Sequence, residues 1–188
     1  MDAKGLLQFQ INGSFSLLSE LAEASSDAEW TARPFAAANL VGFTVWHCAR
    51  TIDWGVNCVM RGASELADDG EWQDVRVGEA MFGAGASREA ADAVAVNVPR
   101  TRVSAYLDAL RQGVVEWLGE VPNDDLTKAV DLKARHVRKP EYMTPTVWEE
   151  IEDLQGIPGW QFLARPCVSH IRVHYGETMA QLGVLRTP

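Results

Sequence analysis

Residues 4–24 read KGLLQFQINGSFSLLSELAEA and carry one apolar stripe. The residues of this stripe recur at steps of three and four: Leu7, Ile11, Phe15, Leu18 and Ala22. Such spacing follows the period of an α-helix and places the stripe on one face. The stretch therefore predicts an amphipathic helix whose apolar face must pack against other helices.

Three more long helical patterns follow along the chain. The second covers about residues 36–60, the third begins near Pro99 and ends before Pro122, and the last covers about residues 159–183. Pro166 lies inside the last pattern and should kink that helix, because proline cannot donate a backbone hydrogen bond. Four amphipathic helices of similar length predict an all-α fold, a four-helix bundle with long crossover connections.

The connections are less regular than the helices. Residues 62–98 hold five glycines and predict a long irregular connection with one short helical turn near Glu65. Strand-like character is predicted around residues 129–137, and Thr144 should cap a short helix that continues to about Leu154. Two long connections leave other all-α arrangements open.

Length and composition predict one globular domain over residues 1–188, since 47% of the residues are hydrophobic and 23% are charged. No apolar run is long enough for a membrane span, and the N-terminus lacks the pattern of a secretory leader. We therefore expect a cytoplasmic protein. With three cysteines we do not expect a disulfide framework of the secreted type, and Cys167 is left to pair with one of the other two or to stay free.

Net charge restricts the partners. The formal charge of −9 argues against nucleic acid, because contacts with phosphates need a basic surface. It argues equally against an anionic membrane surface. The partner that we expect is a small-molecule substrate.

Polar residues occupy the inward seams of two predicted helices. The seam of the last helix holds Leu163, Cys167, His170, His174, Glu177 and Gln181, and that of the second holds Leu40, Phe43, His47, Trp54 and Cys58. Burying a polar group without a partner costs roughly 2–7 kcal/mol, so a bundle normally fills such positions with aliphatic residues. This composition indicates that something satisfies the polar groups.

A metal site is the interpretation that we favour for the histidines. His170 and His174 are four residues apart, so their side chains lie on one helical face and can chelate one divalent ion. His47 is the natural third ligand from a facing helix. Three histidines leave positions open for water or substrate, as in a reactive site. Histidine suits nickel, zinc, copper and iron alike.

Several neighbouring residues keep more than one interpretation. Glu177 is the candidate catalytic residue, as a general base, but it also fits a weak fourth ligand, a partner that orients a histidine, or an exposed charge. Cys167 is conceivable as a thiolate ligand, although a small buried residue is the preferred interpretation. His136 lies in a basic run and is predicted to be solvated.

Three segments together resemble a known family. Arg33-Pro34-Phe35, the stretch NLVGFTVWHCARTIDW at 39–54 and HIRVHYGE at 170–177 are similar to the DinB-like (damage-inducible) superfamily. The helix at 111–118 and the turn at 124–126 fit the same plan. The resemblance covers nearly the whole chain, and the order and separation of the motifs carry it.

The resemblance implies a four-helix bundle with a three-histidine site for a divalent metal, commonly nickel or zinc, and often a homodimer. By position, the ligands are His47, His170 and His174. The characterised enzymes of this superfamily are S-transferases and isomerases that use mycothiol, bacillithiol or glutathione.

Four functions follow from these observations. The leading one is a metal-dependent thiol S-transferase or isomerase that acts on a small electrophilic substrate. The second is a metal-dependent hydrolase with water as the nucleophile. The third is a non-enzymatic module that binds a metal or a small ligand, and the fourth is a dimeric helical domain with a histidine-rich core and no ligand.

Overall fold

A computed structural model describes residues 3–136 and 139–187 of the chain. The helices are α1 Ala3–Ala24, α2 Asp27–Trp30, α3 Val41–Asp53, α4 Arg88–Asn97, α5 Arg100–Glu120, α6 Asn123–Thr127, α7 Leu132–His136, α8 Pro145–Ile151, α9 Gly159–Ala164 and α10 His170–Leu185. Two π-helical segments extend this set, Trp54–Met60 after α3 and Arg165–Ser169 between α9 and α10. Short 3-10 turns lie in the connections.

Four long helices form the bundle. Helix α1 packs against α5 and α10, and α3 packs against the same two helices. The stripe predicted on α1 is buried along its whole length, and every residue of α3 is buried. The prediction of an all-α four-helix bundle with long crossover connections is confirmed.

Both π-helical segments lie where the second and last helices approach each other. Pro166 lacks the backbone N–H that would continue α9, and the backbone N–H of His170 bonds to the carbonyl of Arg165, five residues back. Gly55 faces this turn, since a Cβ at Gly55 would lie 3.2 Å from Cγ of Pro166. The predicted kink at Pro166 thus takes the form of a π-helical turn.

The second helix begins at Val41, five residues later than predicted. A long-range contact explains the difference. The indole of Trp30 is buried against Gly42, where a Cβ would overlap the ring, and it donates to the carbonyl of Val98. Trp30 is the last residue of the short helix α2. The chain between α2 and Val41 must therefore turn, and α3 does not extend back to residue 36.

The connection 62–98 is more ordered than the sequence predicts. The helical turn expected near Glu65 is present as Leu66–Asp68. However, residues 88–97 form α4, which the prediction of an irregular segment missed. Ser87 caps this helix by accepting from the backbone N–H of Ala90, and α4 packs against α3.

The strand predicted at 129–137 is wrong for residues 129–136, and residue 137 lies outside the described residues. Within residues 3–136 and 139–187 there is only an isolated bridge, between Ala129 and Pro158, and no strand. Asp131 accepts a hydrogen bond from the backbone N–H of Ala134 at 3.1 Å and so starts α7. Because this cap starts a helix directly after the bridge, the segment does not continue as a strand.

No helix in the described part of the chain combines the length and apolarity needed to cross a bilayer. Cys48, Cys58 and Cys167 are buried and form no disulfide.

Candidate metal centre

Three imidazoles from two helices, α3 and α10, lie close together. His47 lies on α3, while His170 and His174 lie one turn apart on α10. The ring centroids are 4.9 Å apart for His47 and His170, 5.5 Å for His47 and His174, and 4.5 Å for the α10 pair. One ring nitrogen from each residue lies within 4.8 Å of the others, a group that can hold a metal ion. The structure therefore brings together the three histidines that the sequence singled out.

His47 is held by the backbone of the connection at residues 62–98, which we call the crossover. Its Nδ1 lies 2.7 Å from the carbonyl oxygen of Phe82, and the ring of Phe43 stacks on the imidazole with an interplanar angle of 4°. Because a carbonyl can only accept, Nδ1 carries the proton and Nε2 is the nitrogen with a free lone pair. This tautomer is the one that binds a metal through Nε2.

Gly83 permits this contact. Its φ of +104° is a conformation that favours glycine, and a Cβ at this position would overlap Nδ1 of His47. The neighbouring Met81 also has a positive φ, of 52°. Residues 81–83, the part of the crossover that contacts His47, therefore hold a strained backbone conformation.

His170 provides the most informative atom of the group. Its Nε2 is buried and has no hydrogen-bond partner within residues 3–136 and 139–187. A buried nitrogen without a partner costs free energy, and native structures satisfy nearly all such groups. Because this nitrogen lies beside two other imidazoles, a cation is the partner that fits.

His174 has a carboxylate partner. Its Nδ1 lies 2.7 Å from Oε2 of Glu177, whose side chain is 54% exposed. Glu177 does not belong to the group whose ligand atoms converge. The structure places this residue behind His174, where it can orient the ring, and its predicted catalytic role stays a prediction.

Burial keeps two of the histidines neutral. Desolvation lowers the pKa of His47 to about 4, while the hydrogen bond to Phe82 acts in the opposite direction and the charge of His174 in the same one. Desolvation also lowers the pKa of His170 to about 2, and the charges of His47, His174 and Arg165 act in the same direction. Neutral imidazoles are the form that ligates metals.

The stability of the metal-free protein should depend on pH through His47. Its pKa is about 4 in the folded state and 6.5 for an unperturbed histidine, so the unfolded state binds more protons between these values. The free energy of unfolding should therefore fall as the pH drops from 6.5 to 4, by on the order of 3 kcal/mol from this residue. Urea unfolding at a series of pH values measures the effect.

The matched variant for this experiment is His47→Gln, which removes the titrating group. Its unfolding free energy should change less steeply than that of the wild type over the same pH range. Parallel curves for the two proteins would contradict the assignment.

A cavity of about 370 Å³ adjoins the histidines. Its lining residues come from α3, α8 and α10, from both π-helical segments and from the connections before and after these elements: His47, Thr51, Trp54, Phe82, Ala84, Glu150, Ile151, Leu154, Arg165, Pro166 and His170. The rings of Trp54 and Phe82 stack at 4.9 Å and form an apolar wall. The cavity gives a small molecule access to two of the three imidazoles.

A buried network of charges anchors the wall formed by the crossover. Arg50 donates to Asp53 on its own helix and to Glu65 in the crossover, at 3.0 and 2.9 Å. It also donates to the hydroxyl of Tyr142, whose ring packs against Phe82 at 5.2 Å. The sequence interpretation missed this network, although two charges three residues apart within an apolar helix could have indicated it.

The other residues considered from the sequence lie away from the ligand atoms. Cys167 is fully buried, and burial raises the pKa of its thiol, which favours the interpretation as a packing residue. Gln181 lies four residues beyond Glu177, and both residues line a separate cavity. The side chain of His136 lies outside the described residues, so its predicted solvation stays a prediction.

Comparison with known proteins gives one family and one fold. The model of the DinB superfamily matches residues 10–155, a segment that contains His47 and ends before His170. A crystal structure of a conserved protein from Enterococcus faecalis is similar, with a TM-score of 0.73, 16% sequence identity, and coverage of 98% of this chain and 97% of that chain. At that identity the likeness concerns the fold alone. No curated protein matches this chain.

Proposed function

This chain belongs to the DinB superfamily, and from that premise we propose that it is a metal-dependent enzyme that transfers a low-molecular-weight thiol to a small electrophilic substrate. His47, His170 and His174 would hold the divalent ion, with nickel or zinc as the candidates. The observation that carries the proposal is the buried Nε2 of His170, which has no hydrogen-bond partner among the residues that the structure describes.

The donor set fits a divalent cation. His47 and His174 each have Nδ1 occupied, by the Phe82 carbonyl and by Glu177, so each directs Nε2 to the group. When bound, such a cation supplies Lewis acidity that lowers the pKa of a thiol or of water. Three protein ligands leave room for a co-substrate.

The nucleophilic sulfur must come from outside the chain. Cys48 and Cys167 are fully buried, and burial raises the pKa of both thiols. No cysteine lines the cavity beside the histidines. In the proposed reaction the sulfur of an added thiol forms a bond to the electrophilic carbon, the leaving group departs with its electron pair, and the thiol proton passes to solvent.

The chain's own residues would orient this reaction. The stacked rings of Trp54 and Phe82 hold an apolar substrate and exclude water from the cavity. The carboxylate of Glu177 holds the proton on Nδ1 of His174 and fixes the orientation of that ring.

Elemental analysis after growth with nickel and zinc tests the site, and a thiol panel tests the reaction. The panel contains mycothiol, bacillithiol and glutathione with 1-chloro-2,4-dinitrobenzene, and chloride release is followed. We expect one metal ion per chain and turnover with at least one thiol. Absence of stoichiometric metal would overturn the proposal. Ester hydrolysis without any thiol would favour the hydrolase, and bound metal without turnover would favour a binding module.

Glu177→Gln should weaken zinc binding by roughly 10–100-fold, the usual effect of losing a carboxylate behind a ligating histidine. The amide is close in size to the carboxylate, and residue 177 is exposed, so the stability of the metal-free protein should stay unchanged. Competition with a zinc chelator measures the affinity. Glu149→Gln, at another exposed glutamate, is the matched control. Equal affinities for the two variants would contradict an orienting role.

A further inference from the structure

The π-helical turn at Pro166 determines where Arg165 lies. In this turn the backbone hydrogen bond joins His170 to Arg165, five residues apart, rather than four as in an α-helix. The wider turn brings positions 165 and 170 closer to the same side of the helix. As a result, both side chains line the cavity beside the candidate metal centre.

Arg165 supplies the cavity's only lysine or arginine side chain among the described lining residues. The walls near it are apolar, with Trp54, Phe82 and Leu154 as the main surfaces. Two other polar side chains reach the cavity besides the histidines, the hydroxyl of Thr51 and the carboxylate of Glu150. An anionic group on a ligand in this cavity would therefore find one positively charged partner.

The guanidinium has donors to spare. Within the described part of the chain its one side-chain hydrogen bond is a long contact of 3.4 Å from Nη1 to Asp153, and the two side chains are 51% and 64% exposed. An exposed pair at this distance contributes little free energy, so a ligand can replace it. The planar guanidinium matches a carboxylate in a bidentate geometry.

We propose that Arg165 binds a carboxylate of the electrophilic substrate and so selects for small apolar acids over neutral compounds. The inference rests on the proposed function, because it assigns the substrate class of the same cavity. The apolar part of the substrate lies against Trp54 and Phe82, and its carboxylate lies at the rim.

Calorimetric titration with benzoate and its neutral analogue benzamide tests this assignment. Wild-type protein should bind benzoate at least roughly tenfold more tightly than benzamide, and Arg165→Gln should lose that preference. Glu150→Gln, which removes the acid of the same cavity, is the matched control and should retain the preference. Equal binding of the two compounds by the wild type, or an unchanged preference in Arg165→Gln, would overturn the proposal.

The titrations are made on zinc-loaded and on metal-free protein, because a carboxylate can also coordinate zinc directly. A preference that Arg165→Gln abolishes in metal-free protein supports the subsite even if the metal or the thiol reaction fails. A preference that is present only with zinc and survives Arg165→Gln overturns the subsite and leaves the proposed metal centre intact. Circular dichroism and zinc content of Arg165→Gln should match the wild type.

Discussion

Replacing His170 with alanine is expected to weaken zinc binding by more than about a hundredfold, because a ligand contributes more than the partner that orients it. The described part of the chain offers the buried Nε2 of His170 no hydrogen-bond partner. With only His47 and His174 left, two nitrogens remain where three converge. Chelator competition gives the affinity, and the rise in melting temperature on adding zinc should disappear with it.

The matched control for this experiment is His136→Ala, at the fourth histidine of the chain. The sequence predicts that this residue is solvated, so its removal should leave zinc stoichiometry and affinity unchanged. Zinc binding by His170→Ala that equals that of the wild type would show that the three histidines are not the metal site.

The helices were predictable where the pattern is local. The stripe of α1 recurs with the helical period, and this face is buried as the period requires. The pairing of His170 with His174 is likewise a matter of spacing on one helix. The approach of His47 depends on how α3 packs against α10, so the sequence could only make it a hypothesis.

The crossover was harder to predict because long-range contacts order it. Phe82 holds His47 through its backbone carbonyl, a group that every residue type has, so the side chain at 82 does not reveal the contact. The two residues are also 35 positions apart. Helix α4 escaped prediction since its buried face is narrow and consists of Ala91, Val94 and Ala95. Its glycine-rich neighbourhood favoured an irregular interpretation.

Arg165 shows how a local irregularity changes a site. Proline inside a helical pattern predicts a kink, which the structure confirms, but the residues that the kink brings together depend on its type. An α-helical spacing would not have paired Arg165 with His170. The π-helical turn does, and it therefore changes which charge lies in the cavity.

Arg50→Met should lower the free energy of unfolding by about 3–5 kcal/mol, a large part of the stability of an ordinary domain. The guanidinium is fully buried. It donates to Asp53 at 3.0 Å, to Glu65 at 2.9 Å, and to the hydroxyls of Tyr106 and Tyr142 at 3.1 and 2.9 Å. Removing it leaves two buried carboxylates without their main positive partner, and urea unfolding measures the cost.

The matched control is Arg76→Met, which breaks an exposed ion pair with Asp68 of 3.1 Å. Because exposed pairs contribute about 0–1 kcal/mol, this variant should unfold nearly as the wild type does. Similar losses for the two variants would show that burial of the Arg50 network is not what stabilises the crossover. If the free energy of unfolding falls less in Arg50→Met than in the control, the buried network costs about as much free energy as it contributes. Methionine would then stabilise the site as well as the ion pairs do.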